Sequence, residues 1–102
     1  MEWTQNQNNT NTSIDEDIFE PPQYQVIFLN DDFTTKEFVV HILMSIFHKN
    51  KQEAELLMET VHQKGSAVIG AYPYDIAATK AAMTISNART NGFPLQCKME
   101  QV

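Results

Sequence analysis

The sequence predicts an α+β sandwich in which a small three-stranded antiparallel sheet packs against three helices in the order β-α-α-β-α-β. Three observations predict it. Two short runs, residues 24–29 and 67–72, are rich in β-branched and aromatic residues, and a third, 95–102, alternates apolar and polar. Between them lie longer stretches with apolar residues at helical spacing. Cap residues, glycines and prolines mark the joints.

Taken in order, residues 1–20 form an Asn/Gln/Thr-rich and then acidic extension, with too little apolar material to offset the cost of ordering it. A passive disordered tail is expected there, the alternative being a tail that engages a partner through Ile14, Ile18 and Phe19 or through Trp3. Pro21-Pro22 opens the folded domain, expected to run over 21–102. Tyr24 to Leu29 reads as the first strand. It stops at Asn30-Asp31-Asp32, after which Thr34 and Glu37 have the spacing of a helix capping box.

The first helix is expected from about Thr35 to His48, with Val39, Ile42, Leu43, Ile46 and Phe47 on one face and His41, Ser45 and His48 on the other. Asn50 and Glu53 cap a second helix reaching about Lys64, with Ala54, Leu57, Met58 and Val61 inward and Gly65 ending it. Ala67 to Tyr72 is a short strand in which Gly70 is expected to admit a neighbouring backbone. A third helix to Asn91 carries Ala77, Ala78, Ala81, Ala82, Ile85 and Ala88 on slim faces. Asn91-Gly92 and Pro94 stop it, and Leu95 to Val102 alternates as the last strand.

The bulk numbers exclude several classes of function. With 102 residues there is room for one modest core. The composition, 42% hydrophobic and 20% charged, is that of a globular domain. A net charge of −6 argues against a general nucleic-acid binder, which presents a basic face. No apolar run approaches a membrane span, and the first twenty residues contain neither Lys nor Arg, so an unprocessed intracellular protein is expected. Cys97 is the single cysteine and sits at an inward strand position, where a buried structural thiol is expected.

Candidate chemistry gathers around the first strand's end. Asn30 and Asp32 would present acceptor oxygens beside an apolar wall, which suits a ligand with a cationic head and an apolar tail. Asn and Asp also make good turn and cap residues, so these two positions alone do not choose. His62 shares a helical face with Met58 and lies in its helix's last turn, where a surface imidazole is also favoured by the helix C-terminus. His41 and His48 have no HExxH or Cys/His cluster beside them, so no metal site and no cofactor are expected. An acid–base enzyme on Asp31 or Asp32 with His62 would lack any accompanying nucleophile or phosphate-binding motif. Asp75 and Lys80, near the start of the third helix, read by themselves as solvated charges.

Several separated motifs occur together: Pro21-Pro22, Asn30-Asp31-Asp32-Phe33-Thr34 with Glu37-Phe38-Val39, Leu57-Met58 with Val61-His62 and Gly65, the run Ala77-Ala78-Thr79-Lys80-Ala81-Ala82-Met83, and Pro94-Leu95 with Cys97. Over about residues 21–102 this combination resembles the ClpS family, adaptors of the bacterial Clp protease that recognise N-degrons. The resemblance implies a cytoplasmic, non-enzymatic adaptor. It would bind proteins with N-terminal Leu, Phe, Tyr or Trp and deliver them to the N-terminal domain of the ClpA unfoldase. A monomer is expected.

Residue by residue, the resemblance implies that Asn30, Asp32 and His62 grip the α-amino group. It places Phe28, Leu29, Thr34, Lys36, Val39, Met58 and Leu95 around the first side chain, and Asp75, Thr79 and Lys80 on the ClpA-facing surface. At position 36 the family commonly has methionine after a proline, whereas this chain has Thr35-Lys36. The Lys36 stem can still cover the pocket rim. Its charge is expected to alter side-chain selectivity and either to weaken binding of a cationic terminus or to favour an acidic second residue. The alternative reading is a docking scaffold that uses the third helix and keeps only a vestigial pocket.

Overall fold

In the computed structural model, which describes residues 21–102, the elements are β1 (Gln23–Leu29), α1 (Lys36–Ser45), α2 (Lys51–Lys64), β2 (Ser66–Pro73), α3 (Tyr74–Thr90) and β3 (Gln96–Gln101). The tail read from 1–20, with Trp3, Ile14, Ile18 and Phe19, lies outside the described residues.

The expected α+β sandwich is observed. β1 is the central strand, antiparallel to β2 on one side and to β3 on the other. Its alternation sets the two layers: Val26 and Phe28 are fully buried among the helices, while on the other face Gln25 and Leu29 are half-buried and Ile27 between them is covered. Phe28 packs edge-on to Phe47 at 5.5 Å between ring centroids, joining β1 to the end of α1. α3 touches all three strands through Ala77, Ala81, Thr84 and Ala88, whose small side chains allow the helix to lie close over the sheet. The Thr84 hydroxyl is buried but donates to the Lys80 carbonyl, so its polarity is satisfied within the helix.

The caps decide the helix limits. Asn50 and Glu53 form a reciprocal capping box at the start of α2, and Gly65 ends that helix with a left-handed φ of 90°. At α1, however, the cap is Thr35, whose hydroxyl accepts from the Phe38 N–H, and not Thr34. Asp31 has already engaged the Thr34 hydroxyl.

α1 also ends at Ser45, three residues before His48. His48 adopts a φ of 57°, and the Lys49 N–H turns back to the Leu43 carbonyl. The Lys80 ammonium then donates to the Ile46 carbonyl at 2.7 Å while lying 5.6 Å and 5.4 Å from the Phe47 and Tyr72 ring centroids. Lys80 is therefore not a free solvated charge. It supplies a donor and a positive charge where a helix terminus lacks both.

Two smaller expectations need correcting. The space above Gly70 is filled by a side chain, not a neighbouring backbone: a Cβ there would lie 2.6 Å from the Tyr72 hydroxyl. The sheet also carries a bulge at this point, since Val26 faces Gly70 while Ile27 faces Val68, leaving Ile69 over. Cys97 points inward as expected but is half-buried, with its Sγ 3.6 Å from the Ala81 carbonyl. Burial pushes its thiol up to about 11 against the opposing pull of Arg89, which suits a structural thiol rather than a nucleophile.

Replacing Lys80 by Met keeps most of the stem and removes the charged donor. Urea unfolding is expected to show a loss of about 1.5–3 kcal/mol. An unchanged midpoint would mean that the α1 terminus does not depend on this ammonium.

Candidate functional site

The site is assembled where β1 ends. Leu29, the last residue of β1, pairs with Ser66, and the next amide, Asn30 N–H, donates to the Gly65 carbonyl at 2.9 Å. Gly65 is also the residue that closes α2 through its own N–H to Val61. The last turn of α2, with His62, is thereby brought beside Asn30.

Between Asn30 and α1 the loop is organised by Asp31. Its Oδ1 accepts from the Phe33 N–H at 2.8 Å and the Thr34 N–H at 2.7 Å, and its Oδ2 accepts from the Thr34 hydroxyl at 2.8 Å. Burial pushes the Asp31 pKa up, but the hydrogen bonds from Thr34 and Phe33 and the charge of Arg89 outweigh it, so the net direction is down. With Asp31 committed to the loop, Asn30 and Asp32 are left exposed on either side of it. Among the described residues, the side chains of Asn30, Asp32 and His62 have no hydrogen-bond partner.

These three side chains line a single cleft of about 430 Å³, together with Asp31, Phe33, Thr34, Thr35, Lys36, Val39, Met58 and Val61. The lining combines polar groups with the apolar side chains of Val39 on α1 and Met58 and Val61 on α2. Of the residues expected around the first side chain, Thr34, Lys36, Val39 and Met58 are among the cleft's lining. Lys36 is not an isolated charge at the rim, because its ammonium lies 3.7 Å from the Glu59 carboxylate on α2.

Three residues expected in the pocket are not among the cleft's lining. Phe28 and Leu95 are sealed in the core at 0% and 1% exposure, since the same β1 face that carries Val26 also carries Phe28. Leu29 faces instead a neighbouring depression of about 410 Å³ with Asn30, Asp31, Asp32, Phe33, Pro94 and Gln96. Conversely, Asp31, Phe33, Thr35 and Val61 line the cleft without having been singled out for it. For Phe33 the signal was present: a lone aromatic inside a polar turn, left 76% exposed in the fold.

A second surface lies away from the cleft. Asp75, Thr79 and Lys80 border a shallow apolar depression of about 390 Å³ with Ser45, Ile46, His48, Ile76 and Met83, and it shares no lining residue with the cleft. Ile76 and Met83 are each nearly half exposed there. Among the described residues, no group of three or more His, Cys, Asp or Glu stands close enough together to hold a metal ion.

Residues 19–98 match the family model described as ATP-dependent Clp protease adaptor protein ClpS. The chain belongs to the ClpS family. The ATP-dependent Clp protease adapter protein ClpS of Treponema denticola is 54% identical over 91 residues, covering 89% of this chain and 90% of that one. The ClpS of Syntrophus aciditrophicus is 48% identical over 92 residues, covering 90% and 86% respectively. A solved structure of Agrobacterium tumefaciens ClpS2 bound to L-phenylalaninamide superposes with a TM-score of 0.79 at 37% identity, covering 81% of this chain and all of that one. Being a ClpS, the chain is a protease adaptor without a reaction of its own.

The Asp31 network gives this ClpS a definite acid response. Its pKa is lowered in the fold, so its stabilisation is complete above the ordinary carboxyl value of 3.8 and is lost as pH falls below it. Asp31→Asn is expected to cost about 1–3 kcal/mol at neutral pH and progressively less towards pH 3, followed by thermal unfolding. A deficit that stays constant with pH would show that the carboxylate charge is not what holds the loop.

Proposed function

We propose that the cleft holds the N-terminal residue of a substrate protein, with Asn30, Asp32 and His62 receiving the α-amino group and Val39, Met58 and Val61 receiving the side chain. The single observation that carries this reading is the cleft's composition. Three side chains with open acceptor sites, drawn from two distant parts of the chain, line one cleft together with the apolar side chains of Val39, Met58 and Val61.

A free α-amino group has a pKa near ~8, so it is mainly cationic at neutral pH and offers three donors. The amide oxygen of Asn30, the carboxylate of Asp32 and an imidazole nitrogen of His62 can accept all three. Burying a Leu or Phe side chain against the apolar wall contributes roughly 2–3 kcal/mol. Neither term alone makes a useful affinity, so charge and apolar side chain must be recognised together. L-Phenylalaninamide, the ligand of the solved relative, carries both features, a free α-amine and an aromatic side chain.

The protein is an adaptor of the Clp protease, and its partners on this reading are proteins with bulky apolar N-termini and the ClpA unfoldase. We assign the unfoldase's N-terminal domain to the α3 depression bordered by Asp75 and Thr79. Lys80 contributes there chiefly by holding the end of α1 in place. Because cleft and depression share no residue, substrate and unfoldase can be held at once, as delivery requires. We place this activity in the bacterial cytoplasm, with the adaptor acting as a monomer.

The test is a titration with a Leu-initiated peptide, its N-acetylated twin and a Gly-initiated control. Only the free Leu peptide should bind tightly, and Asp32→Ala should weaken it by about tenfold to a hundredfold. Equal binding of the free and acetylated peptides would overturn the amine grip.

A further inference from the structure

We infer that Glu59 is a specificity-determining residue of the cleft: through its ion pair with Lys36, it sets how the mouth responds to the charge of the substrate's second residue. The inference rests on the amine-and-cleft reading above and adds a position that reading does not include.

Lys36 is the first residue of α1 and lines the cleft, three residues before Val39 on the same helical face. Glu59 follows the cleft residue Met58 on α2. Their charged ends meet at 3.7 Å, so the pair links α1 to α2 beside the cleft, with Lys36 in its lining and Glu59 next to the lining residue Met58. At that distance it is looser than a direct hydrogen bond, and with side chains 52% and 45% exposed it has little to hold it shut.

A ligand whose ammonium sits at the Asn30, Asp32 and His62 end and whose first side chain lies on Val39 and Met58 must send its second residue out through the mouth. There it comes within a screening length of both members of the pair. Each member suits one sign of incoming charge: an acidic side chain is attracted by Lys36, a basic one by Glu59. Glu59 also cancels the Lys36 charge towards the ligand's own ammonium, so a lysine at the rim is compatible with binding a cation. Removing either partner leaves the other charge uncompensated at the mouth and should tilt the preference in a known direction.

The experiment uses two Leu-initiated peptides that differ only in Asp or Lys at the second position. Both are titrated into the full chain and its Glu59→Gln, Lys36→Gln and Glu100→Gln variants. The last breaks the other exposed ion pair, Lys98–Glu100, located on β3 opposite Gln25 and away from the cleft. Glu59→Gln is expected to move the Asp-to-Lys affinity ratio towards Asp by about twofold to fivefold, and Lys36→Gln to move it towards Lys by a similar factor. Glu100→Gln should leave it unchanged.

Constant ratios in both cleft variants would overturn the inference, as would an equal shift in Glu100→Gln, which would reduce the effect to net charge. An acetylated Leu peptide binding as well as the free one would instead bring down the underlying cleft reading. Binding of the free peptide alone, with constant ratios, fails this inference only.

Discussion

The hydrogen bond from the Asn30 N–H to the Gly65 carbonyl is the constraint on which the site depends. It continues the pairing of β1 with β2 one step past the strand and fastens the end of β1 to the helix terminus that carries His62. Gly65 serves both sides of this joint. Its left-handed backbone closes α2 by donating to Val61, and its carbonyl is thereby turned towards Asn30. A side chain at that φ would be strained, and any relaxation would separate the very groups that the cleft brings together.

From that joint the local charges take on separate duties. Asp31 spends its carboxylate on the loop, leaving Asn30 and Asp32 available to the cleft. Lys80 commits its ammonium to the end of α1, leaving Asp75 and Thr79 exposed beside the α3 depression. Lys36 and Glu59 offset one another between α1 and α2. For Asp31 and Lys80 the residue with the internal partner fixes geometry, while the adjoining Asp32 and Thr79 face outward. A family-level list of important positions does not separate these roles, whereas the hydrogen-bond partners do.

Much of the fold was legible because its signals are local. Asn50 with Glu53 and the terminal Gly65 mark α2 at both ends, and the alternation after Pro94 marks β3. The misplacements arose where a distant or competing partner decided the outcome. Thr34 has the right spacing for a cap, but Asp31 takes its hydroxyl and Thr35 caps instead. The end of α1 depends on Lys80, 34 residues further along the chain.

The site was legible to a similar degree. Asn30, Asp32 and His62 were readable as polar groups, and the resemblance to a family joined them, but no pattern in the sequence shows that Gly65 bridges them. Strand alternation separates two faces without saying which one borders a cleft. Hence Phe28 and Leu95 were expected at the pocket and lie in the core. The Lys36–Glu59 pair crosses between helices and has no sequence signature at all.

The most direct test of the account is amide chemical-shift mapping of the full chain titrated with L-leucinamide. The account predicts shifts concentrated at residues 30–39 and 58–65, with little change along α3. A response centred on Ile76, Thr79 and Met83 instead would contradict it, placing ligand recognition on the other face.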